Sequence, residues 1–339
     1  MATKNVGRSR AVSKKNAIAA PGLVAALAFV SVAQRAKGLT FQTHVRMQRG
    51  QLLACDGLVT AGHPIEENLD ACPQSAVFAV ALSKCVDTLT LTVGDDSKVH
   101  VASGKFKAKI PCANQEEMQE CRPDPNVHAI GEGFRESLAA AAMLASEGAT
   151  DLVCGSVLVT ANTVIGTNRF TMIEHWHGMR LPDCGMVVPK ASCVALGKIV
   201  GTLVGFGYNH EAKTCTFWFE NGSWLKTQLM ENKWPNTTKM LESAHEAWPV
   251  PDDLFEGVRS IMAIGDDDII RFEPSMIRCG GASSEGTYEV ETGIDGRALN
   301  GKYLIALAKY IETFDYMSDH LKATFRGANC RGLIAAYKA

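Results

Sequence analysis

No aspartate or glutamate occurs before Asp56, although the first 55 residues hold nine lysines or arginines. The other 284 residues therefore carry 25 basic against 36 acidic groups, and the net charge of −2 conceals two opposed regions. A basic start on an acidic body excludes a chain that coats nucleic acid uniformly. It points to a local site for a polyanion. The eleven cysteines contain no C-x-x-C pair, and their odd, scattered placement from Cys55 to Cys330 reads as small buried hydrophobes in a reducing compartment. A disulfide framework or a zinc site is the alternative. Nucleotide fingerprints are missing as well. There is no P-loop, and Gly205-Phe206-Gly207 lacks a third glycine at dinucleotide-binding spacing.

Long apolar runs are scarce. One, Ala17–Ala33, follows Lys14-Lys15 and ends in Ser31-Val32-Ala33, the outline of a secretory signal peptide. Two sequons, at Asn221 and Asn236, would suit an exported protein. Pro21-Gly22 interrupts the run, however, and Leu23, Leu27 and Val30 fall on one helical stripe. Three clusters offer chemistry. His175-Trp176-His177 places two histidines on one strand face, where the ordinary position is a surface or an edge strand. Asp266-Asp267-Asp268 could hold Mg²⁺, or form the polar turn expected after a helix. Cys193 lies near Lys190 and Lys198, which could lower its pKa and make it a thiol nucleophile.

What the chain has is a threefold repeat. The stretch "NGSWLKTQLMENKWPN", 221–236, joins a turn signal to a strand pattern and a Trp-Pro stop. Related stretches are "SGKFKAKIP" (103–111) and "RGANCRGLIAAYKA" (326–339). A short helical pattern precedes each, at 79–89, 188–200 and 299–312. Its equivalent leucines, Leu82, Leu196 and Leu307, lie 114 and 111 residues apart. Hairpin-like pairs fill the gaps, such as "TLTLTVGDDSKVHVA" with its Gly-Asp-Asp turn. A longer apolar helix opens each unit, at 22–34, 131–146 and 251–264. Periods above ~100 residues mean repeated domains, not a solenoid. The expected division is a basic disordered tail over 1–15, then domains over 16–122, 123–240 and 241–339. Residues 22–34 occupy the slot of an internal core helix, which argues against cleavage after Ala33.

Three tandem helix–strand–helix–strand units of this length resemble the bacterial DNA polymerase III β sliding clamp. "LNGKYLIALAKYI" is similar to that family's phenylalanine-asparagine-x-x-tyrosine-leucine helix, with Asn300, Tyr303 and Leu304 in register. "WLKTQLMENKWPNTTKML" resembles the end of its second domain. "VIGTNRFTM" is similar to a family strand whose aspartate-glycine-histidine turn is here shortened to Asn168. The resemblance implies an α+β DNA clamp fold of three repeated domains, each with two helices packed on a β-sheet. It implies a ring-forming homodimer that encircles double-stranded DNA without reading sequence and tethers the polymerase as a non-enzymatic, cytoplasmic processivity factor, without cofactor or metal. The implied DNA-facing residues are Arg35, Lys37, Lys84, Arg135, Lys190, Lys198, Arg259, Lys302 and Lys309. The implied pocket for polymerase and clamp-loader peptides is Val153, Thr167, Arg169, Phe170, Pro235, Lys239, Met240, Asn300 and Tyr303, with Leu333 and Ala335 from the last strand. Lys239 stands where the family has arginine, and "IAAYKA" replaces its methionine-proline-methionine ending. These departures, with the short turn, suggest a phage-encoded or accessory clamp. The alternatives are an exported cysteine-containing binding protein and a thiol-dependent enzyme.

Overall fold

Pro21 sits in the first turn of a helix, where its missing N–H would have had no intrahelical partner, and the helix runs on through the apolar segment. Leu23, Ala26, Leu27 and Val30 recur at helical spacing and are buried. The computed structural model describes residues 18–125, 127–182, 185–231, 233–242, 247–316 and 321–337; the N-terminal tail reading concerns residues that lie outside these. Among the described residues the helices are α1 (Ala20–Val30), α2 (Thr40–Thr43), α3 (Ser75–Leu82), α4 (Glu132–Ala142), α5 (Lys190–Lys198), α6 (Thr237–Leu241), α7 (Leu254–Met262) and α8 (Gly301–Leu307). Among those residues no helix is long and apolar enough to cross a membrane.

The six helices expected from the repeat are all present, with shifted ends. In the first unit the short helix is Ser75–Leu82, upstream of the expected 79–89. Gln74 fixes its start by accepting a hydrogen bond from the Val77 N–H at 2.7 Å. Asp87, at φ 53°, turns the chain into the next strand. In the last unit Arg297–Asn300 is a strand, and Asn300 then caps α8 by accepting from Lys302 N and Tyr303 N. A cap of this kind stabilises a helix by about 1 kcal/mol.

Two compact units emerge. The first comprises residues 18–123 with 199–201 and 216–226. In it α1 lies on the strands Gln51–Cys55 and Val59–Pro64 and packs against α3. A four-stranded antiparallel sheet runs in the order Ile18–Ala19, Thr88–Val93, Lys98–Ser103, Phe106–Pro111. Strict alternation buries Val99, Val101 and Ser103 on one face. The expected hairpin is present, its turn closed by Gly94 N–H to Lys98 C=O. Trp224 is fully buried, and its indole fills the space beside Gly62, where any β-carbon would collide with it. The strand Trp224–Gln228 is therefore not an edge. It lies in the sheet between Val59–Pro64 and Thr214–Phe219.

The second unit holds residues 124–198, 202–215 and 227–337. Its large sheet runs Met186–Pro189, Ser156–Val159, Thr163–Thr167, Thr171–Trp176, Cys330–Tyr337, Arg297–Asn300, Ile269–Glu273, Met276–Gly280, Glu285–Glu289. Cys330–Tyr337 also pairs with Lys322–Gly327. One strand thus joins the sheets of the second and third repeats, with Met172 opposite Leu333 and Leu299 opposite Ala336. Helix α4 lies on the strands of the second repeat beside α5, and α7 on those of the third beside α8.

Gly332 shows how tightly the joining strand is held. A β-carbon there would collide with the Phe325 ring and with the Met172 carbonyl. Gly332→Ala is expected to lower unfolding free energy by about 1–3 kcal/mol, as overpacking does. Gly281→Ala, whose β-carbon meets nothing within 4 Å, is the control and stays within about 0.5 kcal/mol. Urea denaturation of both variants decides it, and equal midpoints would show that the joining strand tolerates strain.

Candidate functional site

The turn between Thr163–Thr167 and Thr171–Trp176 is built by one side chain. Asn168 Oδ1 accepts from Phe170 N at 3.0 Å, Thr171 N at 2.7 Å and Thr171 Oγ1 at 2.9 Å. Such an Asx turn can replace a longer loop. Its cost is a left-handed Arg169, at φ 78°. Arg169 is held by Asp151, whose Oδ2 receives Nε at 2.8 Å and Nη2 at 2.7 Å. The guanidinium keeps the Asp151 carboxyl below its usual range. Asp151 Oδ1 also accepts the Val153 N–H at 3.0 Å, and Thr167 Oγ1 accepts that of Arg169 at 3.1 Å. Val153, Thr167 and Arg169 are thereby one polar cluster.

Phe170 leaves the turn pointing outward. It is 55% exposed, and its ring stacks on Tyr303 with centroids 6.4 Å apart and planes at 17°. Its carbonyl accepts the Ala335 N–H at 2.6 Å. Asn300, by capping α8, sets the helix that presents Tyr303. Leu333 is buried with Ile165, Met172 and Leu241 in one apolar cluster, against which Leu158 and Trp234 pack. Leu241 ends α6, a single turn capped by Asn236, whose Oδ1 accepts the Lys239 N–H at 3.2 Å. Met240 lies one residue earlier and remains 40% exposed, while Lys322 Nζ donates to its carbonyl at 2.6 Å. Pro235 and Lys239 are exposed beside it. These contacts link the expected residues from the Asn168 turn, α8 and the last strand directly, and α6 through Lys322 and Leu241. Exposed Phe170 and Met240 over an apolar floor can take up a short apolar anchor. Sequence reasoning missed Asp151, Asn168 as the turn builder, Met172, Leu241 and Lys322. Only the lone Asn168 carried a signal, as a turn former between two strand patterns.

The expected DNA-facing cations divide into two kinds. Lys37 and Lys84, in the first unit, and Lys198 and Arg259, in the second, are exposed. Arg35 stands 3.8 Å from Asp56, Lys302 2.5 Å from Asp268, and Lys309 4.7 Å over the Tyr310 ring. The remaining two are less exposed. Lys190 is half-buried and its ammonium donates to the Ala145 carbonyl. Arg135 is half-buried too, 3.9 Å from Glu132. They lie on α5 and α4, which pack against each other.

The clusters that offered chemistry are structural. His175 and His177 are buried, not on a surface or edge, because α4 covers that face: Ser137 meets His175, and the Phe134 ring lies against His177. His175 Nδ1 meets Ser137 Oγ at 2.8 Å, and burial lowers the pKa of both imidazoles, leaving them neutral near pH 7. Asp266 accepts the N–H groups of Gly281 and Ser283, and Asp267 pairs with Arg271 at 2.8 Å. Among the described residues no group of three or more His, Cys, Asp or Glu could hold a metal ion. Burial pushes the Cys193 thiol up to about 12, overturning the lowered pKa expected from its lysines. The thiol held below its usual range is Cys55, first through a hydrogen bond with Cys121. Native protein treated with iodoacetamide at pH 8 is therefore expected to leave Cys193 unmodified, with alkylation only after denaturation. Peptide mapping reads the outcome, and rapid native labelling of Cys193 would reverse this assignment.

No protein-family model matches the sequence, and no curated protein matches it. Solved structures do. A DNA polymerase sliding clamp from Pseudomonas aeruginosa superposes with a TM-score of 0.83 at 14% identity, over 95% of this chain and 99% of that one. A putative DNA polymerase III β subunit from Eubacterium rectale gives 0.82 at 13%, over 95% and 98%. The β clamp of Helicobacter pylori, solved bound to a DNA ligase peptide, gives 0.77 at 14%, over 96% and 100%. The chain has the mixed helix-and-sheet fold of the DNA polymerase III β sliding clamps along nearly its whole length.

Proposed function

We propose that this chain is a DNA sliding clamp: a non-enzymatic, cytoplasmic processivity factor that closes as a ring around duplex DNA and tethers a replicative polymerase. The observation that carries the proposal is the likeness to sliding clamps over 95% of the chain, at TM-scores near 0.8. In this reading the three domains are 16–122, 123–240 and 241–339, their helix pairs face the DNA, and the basic residues 1–15 add weak affinity for it. Exposed Lys37, Lys84, Lys198 and Arg259 meet phosphates without reading bases. The short turn at Asn168 fits a phage-encoded or accessory member working in its host's cytoplasm.

Closure of two copies head to tail is supported by two edge strands of opposite charge. Phe106–Pro111 ends its sheet with exposed Lys107 and Lys109, beside Lys105. Glu285–Glu289 ends the other sheet with exposed Glu285 and Glu289, beside Glu291. An unpaired edge is a template for a second chain, and opposite charges set its register. Sedimentation is expected to give a species near twice the 36.5 kDa chain mass, retained on closed circular DNA after loading and lost when the circle is cut. The double charge reversal Lys107→Glu, Lys109→Glu is expected to yield monomers that circles do not retain. Tight, sequence-preferring binding to short linear duplex would contradict the proposal.

The Phe170–Tyr303–Met240 surface is proposed as the site for partner peptides, from the polymerase and from a clamp loader. The H. pylori clamp, bound to a ligase peptide, is the analogy. A short, mostly apolar peptide is expected to bind with micromolar affinity, about −8 kcal/mol. Met240→Glu is expected to weaken it about tenfold. The loss stays at the low end for a buried charge because Met240 is partly exposed and the new carboxylate can keep some water. Calorimetry alongside oligomer mass reads both arms: unchanged peptide affinity would move the pocket elsewhere, and loss of folding would make Met240 a core residue.

A further inference from the structure

The first unit contains a cavity of about 330 Å³ that the clamp reading does not use. Its walls are Ala19, Gly22 and Leu23 from the start of α1, and His63, Pro64, Ile65, Glu66 and Glu67 from the end of the strand Val59–Pro64 and the loop beyond it. Glu67 is only 7% exposed, and its Oε1 meets no hydrogen-bond donor of the protein. Buried carboxyl oxygens are normally satisfied, because removing one from water without a partner is costly. Burial accordingly pushes the Glu67 carboxyl above its usual range. His63 cannot supply the missing donor from Nδ1, which lies 2.6 Å from the Pro64 carbonyl, and its Nε2 faces Asn221 at 3.4 Å. Glu66, exposed at the rim, adds a second negative charge.

We propose that this cavity is a binding site for an alkylammonium or guanidinium group, the Glu67 carboxylate receiving the cation while Leu23, Pro64 and Ile65 receive its apolar stem. A lysine or arginine side chain has this chemistry: a charged head with several donors on a stem that buries well. An anion is disfavoured by the two carboxylates, and a purely apolar guest would leave Oε1 unsatisfied. The group has two possible sources, the chain's own Lys14 and Lys15, close in sequence to the cavity wall at Ala19, or a basic side chain of another protein.

The test titrates n-butylammonium chloride into the full chain and follows the Leu23 and Ile65 methyl signals by NMR, with n-butanol as the uncharged counterpart. A saturable response in the roughly millimolar range is expected for the cation, the scale of a ligand this small, and none for the alcohol. Glu67→Gln is expected to weaken it about tenfold. Tighter binding to a Lys14→Gln, Lys15→Gln chain would identify the chain's own lysines as the source, and unchanged binding would exclude them, leaving a basic side chain of another protein. A response to n-butanol equal to that of the cation overturns the proposal without any variant. So does a missing response in both chains, or an undiminished response in folded Glu67→Gln.

Discussion

The second unit depends on the strand Cys330–Tyr337. Its residues pair with Thr171–Trp176, with Lys322–Gly327 and with Arg297–Asn300, so the last described residues of the chain close the sheet that the second and third repeats share. Backbone donors and acceptors buried in a sheet must be paired, and this strand supplies partners on both sides. One charged contact fixes its register: Arg331 lies directly across from Glu174, with Nε 2.6 Å from Oε2, and Thr163 Oγ1 donates to the same carboxylate. A slip of one residue would turn Leu333 away from Met172 and separate that ion pair.

The surface proposed for partner peptides follows from this pairing. Leu333 forms its floor because the register puts it opposite Met172, and Ala335 holds the Phe170 carbonyl. The Asn168 turn then needs no aspartate-glycine-histidine loop, since one side-chain oxygen satisfies three donors. What the shortened turn requires in exchange is a left-handed Arg169, and the Asp151 carboxylate holds that residue in place. Polar contacts therefore fix the geometry, while the exposed rings and thioether supply apolar area. The division is the ordinary one in recognition surfaces, where a few anchors contribute most of the energy.

Charge is distributed by the same logic of burial. The basic groups that packing left exposed, among them Lys37, Lys84, Lys198 and Arg259, remain available to a polyanion. Lys190 and Arg135 looked the same in sequence, yet both are half-buried, with Lys190 donating to the Ala145 carbonyl and Arg135 near Glu132. The paired histidines are buried by packing as well: an alternating strand predicts one shared face, but not that α4 covers it.

The six principal helices and the hairpin over 88–103 were legible in the sequence, because local rules govern them. Apolar spacing, Pro21 in a first turn and Asn300 at a cap act over a few residues. So does the asymmetry of charge before Asp56. Of the proposed peptide surface, Asn300, Tyr303 and Phe170 were readable through motif resemblance, whereas Asp151, Met172, Leu241 and Lys322 were not. Their roles arise from contacts with residues distant along the chain, such as Lys322 with Met240 and Leu333 with Met172. The same limit hid the interior position of Trp224 beside Gly62 and the buried carboxylate of Glu67. The sequence by itself determined which segments are helix, strand or turn, since those choices are settled by neighbours in the chain. Tertiary structure alone decided which face is buried, which cation is exposed and which polar atom lacks a partner, because each depends on packing between segments that local pattern does not encode.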